Sequence, residues 1–272
     1  MNWTDRVLVS GHRGESARGI ENTMTAMRRA IADGVDMIET DVHMTRDGEL
    51  ILMHDDFVDR TTDGHGFIKD MTLAEIRKLN AVVNATEPLP PEPPPTLREL
   101  LDYVKDYPNL LLNIEFKDYP TPGNEAFAWE CVDKIAQMLV DYGYQHRTWI
   151  NSFSGAILEH VYEKYGNIFK YHGFYPWYIL GPMKRDPETF IDLACMQSKD
   201  PGPDGWTPVP RPNPLCPKEW FDYLLEKNIM PLMAPSLKEF PLYEQAFKWG
   251  SRIVNYDDPP RMLAFLKDKG WR

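Results

Sequence analysis

The chain has 272 residues, 43% of them apolar and 26% charged. That globular balance excludes a disordered chain, and no apolar run reaches the ~18 residues that a membrane helix needs. Lys and Arg number 30 against 41 Asp and Glu, a formal net charge of −11, which argues against nucleic acid as a partner and against stable membrane association, so an anionic substrate must meet a local group of cations or a bound metal.

The first nine residues lack the basic and apolar regions of a secretory signal. Three widely spaced cysteines, Cys131, Cys195 and Cys216, fit neither a disulfide framework nor a zinc knuckle. Both features lead us to expect a reducing, cytoplasmic location. Along the chain, short β-branched runs alternate with amphipathic stretches, the pattern of repeated βα units. Strands are predicted at residues 7–10, 37–42, 110–116, 148–153, 169–174, 193–197, 229–233 and 252–256, the sixth with the weakest pattern. Helices are predicted at 23–33, 125–142, 156–165, 218–227, 243–249 and 261–269. Eight strands in a chain near the ~250 residues of a closed α/β barrel favour a (βα)8 TIM barrel over a doubly wound sheet, as one domain over 1–272. Two proline-rich segments interrupt the alternation: 88–95 with six prolines and 201–217 with seven. Neither suits a helix or a central strand, and both read as surface loops.

Chemistry-bearing residues concentrate before residue 57. Strand alternation puts Glu39 and Asp41 on one face, about 7 Å apart at ~3.3 Å per residue. Inside a barrel the pair needs a cation, most simply a divalent metal; on an edge strand it would only be solvated. Glu115, near the end of the third predicted strand, adds a third carboxylate, and an all-oxygen set suits Mg²⁺ or Ca²⁺ better than Zn²⁺. Lys117 shares its face and could neutralise a carboxylate, in an ordinary ion pair, or meet a phosphate. His12 and Arg13 follow the first strand and His54 follows the apolar run 50–53; the two histidines make an acid and base pair, and Arg13 offers a planar fork for phosphate. Asn22 reads either as orienting a ligand or as capping the helix that follows. His43 reads as solvated beyond its strand, and His65, His146, His160 and His172 as core or surface residues. The sequence contains no nucleophile elbow, Walker loop, dinucleotide fingerprint or zinc-protease motif.

The motifs HRG at 12–14, ENT at 21–23, GVDMIETDV at 34–42, TRDG at 45–48, HD at 54–55 and IEFK at 114–117 together resemble the glycerophosphodiester phosphodiesterases. Residues 60–81 are similar to that family's insertion after the catalytic His. The resemblance implies a βα barrel with a small insertion after the second strand, here about 56–109. It further implies that Glu39, Asp41 and Glu115 hold one divalent cation, Mg²⁺ or Ca²⁺, that His12 and His54 are the acid and base, and that Arg13 and Lys117 contact the phosphate. The implied reaction hydrolyses a small-molecule glycerophosphodiester to glycerol 3-phosphate and an alcohol, with the substrate's 2-hydroxyl or water as nucleophile. The alternatives are a lysophospholipase D-type enzyme acting on lipid substrates and a catalytically silent barrel that binds a phosphodiester. The C-terminal third departs from the family: PLMAPS at 231–236 stands where W-T-x-N is usual, and NYDDPP at 255–260 where T-D-x-P is usual, with Asp258 and Pro259 read as that ending's final pair. These departures concern the rim around the alcohol; Trp177, Tyr178 and Trp206 each read either as lining that rim or, more often for such residues, as packing.

Overall fold

The computed structural model describes residues 6–203, 207–237 and 239–272. Trp206 therefore lies outside the described residues. Among those described, eight parallel strands close into a barrel: β1 (Leu8–Gly11), β2 (Met37–Met44), β4 (Leu111–Phe116), β5 (Thr148–Asn151), β6 (Lys170–Tyr175), β7 (Leu193–Met196), β10 (Met230–Met233) and β11 (Ile253–Tyr256). Closure comes from β1, which pairs with β2 on one side and β11 on the other. Two short elements complete the strand numbering: β3 (Leu50–Leu52), antiparallel to the end of β2, and an exposed antiparallel ribbon of β8 (Lys199–Pro201) and β9 (Pro208–Pro210). The ribbon leads into the second proline-rich segment, β8 ending on its first residue and β9 lying inside it, and proline is tolerated there because neither strand joins the central sheet.

Outer helices cover the barrel: α1 (Met24–Asp33), α3 (Leu97–Val104), α4 (Glu125–Asp141), α5 (Gly155–Tyr165), α6 (Lys218–Glu226), α7 (Phe240–Lys248) and α8 (Pro259–Asp268), with the single turn α2 (Leu73–Ile76) in the insertion. The predicted strands and helices match these except at their ends. Two helices were not predicted, the single turn α2 and α3; both fall inside the 56–109 segment, yet Leu97, Leu100, Leu101 and Val104 of α3 are wholly buried in the main barrel core. The start of α3 is a capping box in which the Thr96 hydroxyl accepts from the Glu99 N–H at 3.1 Å and Glu99 accepts from the Thr96 N–H at 2.8 Å. The inserted chain ahead of it has a small core of its own, built by Ile51, Met53, Val58, Ile68 and Ile76. The proline run 88–95 is fixed between the two, since the Pro95 carbonyl accepts from Leu52 N–H and the Glu92 carbonyl from Ala81 N–H.

Strand register sets which side chains face inward. Ser10 lies beside Met37 and Asn255, Glu39 beside Asn113, Asp41 beside Glu115, and Asn151 beside both Glu115 and His172. Side chains one pleat apart share a face, so these strands give the barrel interior an upper layer that is polar. Below it the core is aliphatic and aromatic. Among the described residues no helix is long and apolar enough to cross a membrane.

Candidate active site

The polar layer lies at the C-terminal ends of the strands, where βα barrels place their chemistry. Glu39 and Asp41 project from β2 and Glu115 from β4, each at most 6% exposed, and one oxygen from each lies within 4.8 Å of the others. Two cations face them. Lys117 Nζ is 3.0 Å from Glu115 and 3.6 Å from Asp41, and Arg13 Nε is 3.3 Å from Asp41. Three carboxylates against two fixed cations leave one negative charge uncompensated in a buried place. The consequence appears at Glu39, where burial and the Asp41 charge push the carboxyl up to about 8. Burial likewise raises Glu115, whereas for Asp41 Lys117 and Arg13 outweigh burial and lower it.

The donor set fits a hard divalent cation. It is all oxygen, it carries the surplus negative charge, and Asn151, whose amide donates to Glu115 at 3.1 Å, holds its own Oδ1 buried without a protein partner. A divalent cation there would displace the proton that burial favours on Glu39 and offset the charge of the three carboxylates.

The turn after β1 brings His12 and Arg13 over this layer. Gly14 makes the turn possible: its φ is +80°, and a Cβ there would lie 2.7 Å from the Ala26 carbonyl carbon of α1. Arg13 itself has φ +54°, and its N–H donates to Glu39 at 2.9 Å. His12 Nδ1 lies 2.5 Å from Asp257, which also accepts from the Ser16 hydroxyl at 3.0 Å, while its Nε2 faces Glu39 at 3.9 Å. Burial opposes a charge on His12, but Asp257 and Glu39 outweigh it and raise the imidazole above its ordinary value. His54 has the same arrangement with a different neighbour: Nδ1 lies 2.6 Å from Asp55. There burial dominates and lowers the imidazole. Both histidines thus have a carboxylate at Nδ1 and keep Nε2 for other work.

Arg60 ties the two halves together. It donates to Asp55 at 2.6 Å and, through both terminal nitrogens, to Glu21 at 2.8 Å, while Glu21 also pairs with Arg13 at 2.8 Å. An ion-pair chain therefore runs Arg13, Glu21, Arg60, Asp55, His54. Asn22, at φ +56°, donates to Asp41 at 2.9 Å and accepts from the Thr40 hydroxyl at 2.7 Å. It does not cap α1, because the Thr23 side chain does so by accepting from Ala26 N–H.

The structure brings every residue singled out in the sequence, His12, Arg13, Asn22, Glu39, Asp41, His54, Glu115 and Lys117, to this one end of the barrel. It also corrects two readings. His43 is buried rather than solvated, with Nδ1 2.7 Å from Asp118 and Nε2 3.3 Å from the His54 carbonyl, because β2 runs on to Met44. In the last strand's ending the residue that reaches the site is Asp257. Asp258 instead caps α8 by accepting from Arg261 N–H; Asp257 and Pro259 have the Asp-x-Pro spacing of the family's ending. Asp55, Arg60, Glu21 and Asn151 were not singled out from the sequence. Asp55 lies in the HD pair itself, Glu21 in ENT and Arg60 at the head of the 60–81 segment, which was a usable signal; Asn151 had none.

A sequence profile described as the glycerophosphoryl diester phosphodiesterase family matches residues 12–206. A glycerophosphodiester phosphodiesterase of Caldanaerobacter subterraneus subsp. tengcongensis is 38% identical over 181 residues, 64% of this chain and 71% of the relative. Human glycerophosphodiester phosphodiesterase 1 is 40% identical over 124 residues, 45% of this chain and 37% of the human protein. Among solved structures, an Oleispira antarctica phosphodiesterase in complex with the product sn-glycerol 3-phosphate aligns over 96% of this chain and 97% of its own, with TM-score 0.76 and 20% identity. At that identity the likeness speaks for the fold alone.

Proposed function

Since the chain belongs to the glycerophosphoryl diester phosphodiesterase family and is a phosphodiesterase, we propose that it hydrolyses small glycerophosphodiesters to glycerol 3-phosphate and an alcohol, with His12 and His54 exchanging the protons. The observation that carries the reading is the meeting of three buried carboxylates, two cations and two carboxylate-held histidines at one barrel end. Glu39, Asp41 and Glu115 would hold one divalent cation, Mg²⁺ or Ca²⁺, which supplies Lewis-acid charge to a phosphoryl oxygen when bound. Arg13 and Lys117 place fixed positive charge beside the same oxygens and need no reorganisation as charge develops.

Of His12 and His54, one takes the proton from the nucleophilic hydroxyl, either the substrate's own 2-hydroxyl or water. Each is held at Nδ1 by its carboxylate, and the other gives a proton to the departing alkoxide; where the 2-hydroxyl attacks, the cyclic phosphate so formed is opened by water with the two histidines in exchanged roles, which yields glycerol 3-phosphate. The three cysteines are free and buried, which supports a reducing compartment such as the cytoplasm. The test is release of glycerol 3-phosphate from glycerophosphocholine, -ethanolamine and -glycerol with Mg²⁺, Ca²⁺ or chelator present. Metal-dependent release is expected, together with a loss of at least about a hundredfold in His12→Ala and His54→Ala. A folded protein that binds metal and releases nothing would favour the silent-barrel reading instead.

A further inference from the structure

A cavity of about 660 Å³ opens directly beside His54 and Lys117, between the insertion and the loop that follows β4. Its location makes it continuous with the reaction centre on the side where His54 stands. A seven-atom head group, at roughly the 30 Å³ that a water-sized group occupies, fills about 200 Å³, so a small alcohol would leave most of the space empty.

The walls suggest what could occupy the remainder. Phe57 and Phe67 lie directly opposite one another across an isolated antiparallel bridge, which puts their rings on one face, and they are 38% and 49% exposed. Two large rings left open together at a cavity mouth are unusual in a folded chain unless something apolar covers them. Pro122 extends the carbon surface. Most of the polar lining is already engaged: Asp55 by His54 and Arg60, Asp118 by His43 and the Met44 N–H, Lys69 by Asp70, and Lys117 by Glu115. Asp56 is the lining carboxylate without a side-chain partner among the described residues, and its charge disfavours an anionic tail.

We propose that this cavity is the subsite for the substituent that departs as alcohol, and that it selects uncharged alkyl chains over small polar alcohols, with Phe57 and Phe67 as specificity-determining residues. The inference rests on the phosphodiesterase reading above. A fully buried methylene favours binding about fourfold; in a cavity that opens to solvent and has carboxylates among its walls, about twofold per methylene is expected.

The experiment measures kcat/KM for release of glycerol 3-phosphate from the ethyl, butyl, hexyl and octyl esters, each below its aggregation concentration, with metal present. The wild-type series should rise roughly 30- to 100-fold from ethyl to octyl. Phe57→Ser and Phe67→Ser should each flatten the slope, and Phe57→Leu should largely keep it. Both rings are exposed, so folding is not at stake. A flat or falling wild-type series overturns the proposal, as does an unchanged slope in both serine variants. Absence of release from every ester, glycerophosphocholine included, would instead refute the hydrolytic reading on which the proposal stands.

Discussion

Two neighbouring acids at the end of β11 allow a decisive comparison. Asp257 lies 2.5 Å from His12 Nδ1, whereas Asp258 caps α8 through Arg261 N–H at 3.3 Å. Asp257→Asn keeps the shape and removes the charge. A hydrogen bond between charged groups contributes about 1.5–3 kcal/mol, but the Asp257 side chain is 49% exposed, so solvent screening takes about half of that. The remaining ~0.75–1.5 kcal/mol corresponds to a loss of roughly 4- to 13-fold in kcat/KM at 1.36 kcal/mol per tenfold. The global fold should tolerate it, because an imidazole with a neutral amide beside it remains hydrogen-bonded. Asp258→Ala should do the opposite: it leaves the rate within twofold and costs about 0.5–1 kcal/mol of stability through the lost cap. The assay is glycerol 3-phosphate release across substrate concentration, paired with urea unfolding of each variant. If Asp257→Asn stays within twofold of wild type, or if Asp258→Ala lowers the rate as much, the assignment of Asp257 to His12 is wrong.

Further outcomes follow from the same geometry. Glu39→Gln removes one of three crowded carboxylates, so isothermal titration should show Mg²⁺ or Ca²⁺ binding weakened at least about tenfold, while in chelator the variant should unfold no earlier than wild type; an unchanged titration would remove Glu39 from the metal site. Glu21 is held at about 2, because Arg60 and Arg13 outweigh the burial that opposes its charge. Its folded value lies below its ordinary one, so its contribution to stability is complete above about pH 4.5 and disappears as pH falls towards 2. Acid unfolding should therefore show Glu21→Gln less stable than wild type at pH 6 and converging with it across that window, and a pH-independent gap would contradict the pairing. Gly14→Ala combines a left-handed backbone cost of ~1–2 kcal/mol with a clash against α1 backbone worth about 1–3 kcal/mol; thermal unfolding should register a loss of a few kcal/mol, and a neutral result would mean that the turn carrying His12 can relax.

What is legible in the sequence follows a physical rule. Strand parity is a local property with a period of two residues, so spacing alone assigns Glu39 with Asp41 and Glu115 with Lys117 to common faces, and the eightfold alternation points to the barrel. The helix α3 has a clear local signal as well, T-x-x-E at 96–99 with leucines at 97, 100 and 101, but the proline run that ends at Pro95 suggests irregular chain. That run only delivers the helix start. The partners of the two histidines differ in kind. Asp55 adjoins His54 and is within reach of local reading, whereas Asp257 meets His12 across 245 positions of sequence, and Arg60 meets Glu21 across 39. Such pairings exist only because closure sets β11 beside β1 and the insertion folds back over the barrel mouth. Residues that touch the reaction centre can thus be named from local pattern, while those that orient them depend on how the ring of strands closes. Asp258 illustrates the point: it carries the same carboxyl as Asp257 one position away, but its cap on α8 directs that carboxyl to the Arg261 N–H and leaves Asp257 to meet His12.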